Sequence, residues 1–523
     1  MPRQEDANLS PIAPEDFGAP QAAALLRRAG FGGAPEQAET LASFGPERAV
    51  DLLVNYAQIA DPSPPSPGAF DAELMREYTE AERQAITQAR LRRDENTLAR
   101  LRLEREQMER RDRAQIIDVQ RWWLERMIES PRPLEEKMTL FWHGHFATSQ
   151  RKVENSYHLF LQNLTFRAHA TGSFADLLRA MVRDPAMLAW LDNHTSRAEA
   201  PNENLAREIM ELFALGPGAY TEKDIKEGAR ALTGHTFQGN EFVFRADWHD
   251  NNLKTILGAR GRFGADDFVD QILRQRACAD FLALKVYRFF VDADAPESPD
   301  LLRDAPPSTR DAIEAIANDL RRSNYAFKPA LTRLFLSKHF HESCARSTHI
   351  KSPVELVVGS IRTMRTPTRN LGVLLDALAR MGQEILFPPT VAGWTGGRAW
   401  INTATLLTRQ NTLVYLLTGV TPQAARDGVL PGLHPEDARD YDALGALPFL
   451  RDARTPLELA SQACVNLLAN GADASGAIER LARWSVDRFE CGSPVAPLPR
   501  RLSQDDAVAL LIALSALPEH QLC

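Results

Sequence analysis

Apolar residues along this chain recur mainly three and four positions apart, the spacing of helices with one buried face. From Pro201 to Gly216, Asn202 can cap while Leu205, Ile209, Leu212 and Phe213 line one side, and Gly216 closes the element. The next helix begins at Thr221, with Asp224 three residues on as a capping-box variant, and runs through Ile225, Ala229 and Leu232 to Gly234. The same pattern predicts helices at Ala22–Gly33, within Pro35–Ala60, and at Phe174–Val182, Ala277–Val291, Pro306–Asn324, Lys328–Ser337, Pro353–Arg365 and Leu371–Met381. Period-two alternation is confined to Thr236–Phe244, which suits a short hairpin. The fold class is all-α, mainly helical with at most a short β-hairpin: a large multi-helix core with a long charged helical insertion.

Four regions follow. Residues 1–68 hold N-terminal helices and end in the linker Asp61-Pro-Ser-Pro-Pro-Ser-Pro-Gly68. Residues 69–130 lack glycine and proline from Ala72 to Glu129 and are rich in Glu, Arg, Leu and Gln, the composition of one long helix or a helical hairpin. Its Arg and Glu nearly cancel, as on a solvated, ion-paired helix. Leu91, Leu98, Leu101 and Met108 form a partial seam for a neighbouring helix or a second subunit, so a homo-oligomer through this helix is one expectation. Its last turns (Ile116, Val119, Trp123, Met127) should dock on the core. Residues 131–420 form the main helical core, and 421–523 a linker followed by helices over roughly Pro456–Leu517.

Composition narrows the function classes. Of the 523 residues, 44% are hydrophobic and 25% charged, ordinary values for a folded protein. The net charge of −8 argues against general nucleic-acid binding, which needs a basic footprint. No apolar run approaches the ~18 residues of a membrane span. The first residues carry no secretory signal pattern, so the expected compartment is the cytoplasm. Five widely spaced cysteines without a CxxC pair give neither a disulfide framework nor a cysteine zinc site.

Several stretches could carry chemistry. Phe141-Trp-His-Gly-His-Phe146 places two imidazoles about one glycine. On a regular helix His143 and His145 point ~200° apart, so they share a metal only if Gly144 breaks the helix; otherwise they are hydrogen-bonding core histidines. Glu154 and His158 share a face if Val153–Arg167 is helical, as ligands or as an ion pair. Glu208 and Glu211 lie one turn apart beside Arg207, able to activate water or hold a metal, although the guanidinium favours a structural network. His249 and Asp250, followed by Lys254, suit a ligand or a base with its orienting carboxylate, or plain loop capping. Gly382–Asn402 is rich in Gly, Pro and Trp; Trp394 and Trp400 could wall a pocket.

The ordered segments Arg27–Gly32, Lys137–Ser149, Pro201–Gly234, Asp247–Gly258, Lys351–Arg362 and Pro388–Arg409 together resemble the bacterial family known as domain of unknown function 1800. The resemblance covers the chain from about Ala22 to Leu417. It implies no catalytic residues. Members often carry a twin-arginine export signal and are commonly encoded beside a protein that looks like a sulfatase or alkaline phosphatase. This chain departs in lacking a visible signal, in having His235 where the family usually shows Trp, and in the charged helix near Leu91–Arg113.

Two expectations result. The first is a metal-dependent enzyme, hydrolytic or oxidative, in which His143, His145 and His249 bind a divalent transition metal and Glu208, Glu211 or Asp250 completes the shell or acts as base. The second is a non-catalytic scaffold or maturation partner of the sulfatase- or phosphatase-like neighbour, with neither nucleic acid nor membrane insertion involved.

Overall fold

The computed structural model describes residues 9–346, 349–421, 434–469 and 474–523. Helices dominate, and the only sheets among these residues are two antiparallel pairs. His235–Gln238 pairs with Glu241–Phe244, His235 opposite Phe244, where alternation predicted it. The second pair, Lys254–Ile256 with Ala259–Gly261, was not expected. Its turn residues Leu257 and Gly258 both have positive φ (50° and 85°), the twist a two-residue hairpin needs, and Asp224 Oδ1 accepts the Leu257 N–H at 2.7 Å.

The charged insertion is a helical hairpin. Glu80–Arg92 ends on left-handed Arg93, Asp94 caps the return, and Glu95–Glu129 runs back alongside. Ile116, Val119, Trp123 and Met127 are buried as expected, packed on Pro353–Met364 and Leu371–Arg380 residues such as Val357 and Leu378. The Pro-rich linker is pinned beneath it, because Asp61 takes the Arg126 guanidinium at 2.8 Å with both side chains buried. The largest apolar cluster joins Ala19–Arg28, Pro133–His145, the segment around Phe213, and Arg276–Phe290. A separate cluster is formed by Pro456–Leu467, Ser475–Phe489 and Gln504–Ser515. Part of the Thr421–Pro448 passage lies outside the described residues. Among those described, no helix is long and apolar enough to cross a membrane.

Two local expectations are corrected. Pro201–Gly216 is not one continuous α-helix: Asn204–Glu208 is α-helical and Ile209–Ala214 is π-helical. Pro217 explains part of this, since it has no N–H to offer the Phe213 carbonyl. The Leu215 and Gly216 N–H groups both turn to Met210 O instead, at 3.0 and 3.1 Å. Glu154 and His158 do not share a helix either. Glu154 is left-handed (φ 51°) at the end of Gln150–Val153, and a new helix, Ser156–Ala168, starts under an Asn155 cap.

Candidate functional site

The Pro133–His145 helix passes through Gly144 unbroken, so its two imidazoles diverge. His143 Nε2 accepts the Leu386 N–H at 3.1 Å, and its ring lies against Trp123 and Trp394. A backbone N–H only donates, so this nitrogen's lone pair is engaged and the imidazole is neutral with its proton on Nδ1. His145 Nε2 donates to Phe213 O at 2.8 Å, supplying the carbonyl that Pro217 leaves without a helical donor. Both rings are buried, and burial lowers each to about 3. The Trp394 loop closes over them: Gly393 (φ 79°) approaches so near that a Cβ there would stand 2.3 Å from Gly144 O.

His249 and Asp250 lie elsewhere, beside Thr233. His249 Nδ1 meets Thr233 O at 2.9 Å. Burial works against the Asp250 charge, yet the Arg230 guanidinium (2.7 Å) and the Asn252 N–H outweigh it and hold the carboxyl at about 2. His158, buried against Phe237, bonds Gly239 O at 3.1 Å. The three histidines His143, His145 and His249 are therefore engaged separately, each with a main-chain group.

The π-helical stretch treats its carboxylates differently. Arg207, the cation that complicated this cluster in the sequence, turns to Glu203 (3.0 Å) and Glu222 (2.9 Å). Glu211 accepts the Tyr220 hydroxyl at 3.0 Å. Glu208 is half-buried and has neither a hydrogen bond nor an ion pair with any described residue. Burial first, and the Glu211 charge second, raise its pKa. On the adjoining Arg276–Phe290 helix, burial lowers Lys285, whose ammonium lies 5.1 Å from the Phe281 ring centre, and Phe281 also packs on Gly216.

Sequence reasoning missed one further constellation. His349, Glu355 and Cys523 bring ligand atoms within 4.8 Å of one another, the only such group of three found among the described residues, and this buried triad could hold an ion. Ser352 caps Pro353–Met364, and Glu355 closes the capping box with Oε2 on the Ser352 N–H at 2.7 Å. Glu355 Oε1 takes the fully buried Lys137 ammonium, which also lies 5.0 Å from the Phe31 ring centre. The terminal segment is laid in beside it by Cys523 N–H to His349 O and Lys351 N–H to Gln521 O, both 2.9 Å. A cavity of about 20 Å³ adjoins the triad, walled by Arg27, Lys351, Glu355, Ser360, His520 and Cys523 among others. Arg28 and Arg409, both buried, stand behind it. The signal that could have found this place is a charge inside an apolar run, as Lys137 before Met-Thr-Leu-Phe and Glu355 between Val354 and Leu356.

Comparison with curated proteins and with solved structures returns no match in either. Residues 24–514, nearly the whole chain, match the family model described as "Protein of unknown function (DUF1800)", and the chain belongs to that family.

Proposed function

We propose that the chain is an enzyme working by general acid–base chemistry at the π-helical stretch, with Glu208 as the proton-carrying group and Glu211 with Tyr220 beside it. One observation carries this reading: Glu208 is a half-buried carboxylate with no partner among the described residues, while the other candidate groups are hydrogen-bonded to their neighbours. A carboxyl raised by burial and a like charge keeps its proton to higher pH, so it can donate to a leaving group and then act as base. A π-helical turn widens the helix locally and is frequent at functional sites. Hydrolysis is the simplest chemistry such a pair performs, and Tyr220 holds Glu211 in place for it.

A panel of chromogenic esters, glycosides and phosphate esters tests the proposal. Expected is turnover of one class that falls ~10²–10⁴-fold in Glu208→Gln, the usual contribution of a general acid or base. Tyr220→Phe should lower turnover less and move the pH profile. A Glu208→Gln protein that turns over every active substrate at the wild-type rate would overturn the reading.

A further inference from the structure

The chamber beside Glu355 is lopsided in charge. Among the described residues one side-chain carboxylate, Glu355, and the thiols of Cys344 and Cys523 face five cations, Arg27, Arg28, Lys137, Lys351 and Arg409, of which only Lys137 pairs with Glu355 directly. The others lean on neutral carbonyl acceptors: Arg27 Nη2 on Ala469 O at 2.9 Å, Arg28 Nη2 on Val291 O at 3.1 Å, Lys351 Nζ on His520 O at 2.7 Å, and Arg409 on Gln521 Oε1 (Nε, 2.8 Å) and Lys351 O (Nη2). Carbonyl dipoles do not cancel whole charges. Several buried polar atoms find no partner among the described residues: Arg27 Nε, Arg409 Nη1 and, in the cavity wall itself, Ser360 Oγ and His520 Nδ1. Ser360 is 4% exposed and His520 3%, so solvent does not satisfy them.

We propose that this chamber is a binding site for one small monovalent anion of halide size, held by Arg27, Ser360 and His520, with Arg28 and Arg409 supplying further positive charge behind them. The volume sets the size class, because about 20 Å³ admits one water-sized group and no tetrahedral oxyanion. The sign follows from Coulomb's law: a divalent cation on His349, Glu355 and Cys523 would stand among the same five positive charges. Burial, assisted by Lys351 and Arg409, keeps the His520 imidazole neutral, and with its proton on Nδ1 it donates into the chamber. Arg27 and Lys351 are half-buried and mark the way in.

Bromide is the probe. Crystals of the full chain grown in a gluconate buffer and soaked in bromide should show one anomalous peak between Arg27, Ser360 and His520. In solution, Tm in sodium chloride should exceed Tm in sodium gluconate at equal ionic strength, rising with chloride as binding to the native state requires. The chloride affinity behind that rise should fall about tenfold in Arg27→Gln, one charged hydrogen bond's worth. Should Arg27→Gln fail to fold, Ser360→Ala removes a single hydroxyl and must still weaken the chloride effect. Absence of a bromide peak together with equal melting in the two salts overturns the proposal. So does stoichiometric zinc on the triad whose removal by a chelator abolishes the salt difference.

Discussion

The chamber around Glu355 and the π-helical face around Glu208 place carboxylates under opposite conditions. Glu355 is enclosed, capped and ion-paired, and its neighbours reach it from helices far apart in sequence. Glu208 stands half in solvent, with its one cationic neighbour by sequence, Arg207, turned away to other partners. The first arrangement locks helices together. The second leaves a half-buried carboxyl without a partner among the described residues. A perturbed carboxyl therefore means different things in the two places, and hydrogen-bond engagement separates them better than burial does.

The sharpest way to break that comparison is Glu355→Gln, which keeps the capping bond to Ser352 yet leaves Lys137 buried without a counter-charge. Removing one partner of a buried pair costs about 3–5 kcal/mol, so the urea midpoint should drop steeply, while Lys137→Met with Glu355→Leu should recover most of the loss. A cost below about 1 kcal/mol would mean the pair is no more demanding than a surface one.

Acid should separate the sealed histidines from ordinary ones. Burial holds His143 and His145 at about 3 in the native state, below the usual 6.5, so the unfolded chain protonates first as pH falls. Stability is then full above about pH 6.5 and declines towards pH 3, by about 2 kcal/mol per imidazole at pH 5. Unfolding followed at pH 7 and pH 5 should show that loss, and its pH slope should shrink by about one proton in His143→Gln.

A smaller effect is expected where the Trp394 loop closes. In Gly393→Ala the new methyl meets Gly144 O and the backbone keeps a positive φ, a strain of about 1–3 kcal/mol. Lower thermal stability and red-shifted tryptophan emission would report it. Wild-type values of both would mean that the loop yields.

The least effect concerns Glu208. Its raised pKa means that the native state holds this proton more tightly than the unfolded chain, so wild-type protein loses a little stability as pH rises through the native value. Glu208→Gln escapes the penalty. At pH 7 it should be the more stable by less than about 1 kcal/mol, with the gap closing near pH 4. A destabilised Glu208→Gln would place the carboxylate with Glu355, among the groups that hold the fold.

Much of the helical fold is legible because helix signals are local. The Thr221–Asp224 box and the glycine closing at Gly216 each lie within a few residues of what they terminate. The hairpin at Lys254–Gly261 escaped because three-residue strands are too short to show alternation. The π-helical turn escaped because its cause combines Pro217 with an imidazole, His145, that lies 68 residues before the Phe213 carbonyl it serves. At the site level, Glu208, Glu211 and Tyr220 share one stretch of sequence and could be nominated together. The chamber could not, since its Lys137–Glu355 pair spans 218 residues and no short motif carries both halves.

The Arg27–Ala469 hydrogen bond spans 442 positions, and it has a consequence for synthesis. At ~5–20 residues per second the ribosome finishes the Ala19–Arg28 segment tens of seconds before Ala469, His520 and Cys523 exist. During that interval Arg27 lacks its acceptor, while Arg28 can already reach Val291 O and the largest apolar cluster draws its buried members from Leu9 to Cys344. Closure of the chamber is thus a late event, and a chain cut short of residue 520 would lack the acceptors that Lys351 and Arg409 use, His520 O and Gln521 Oε1.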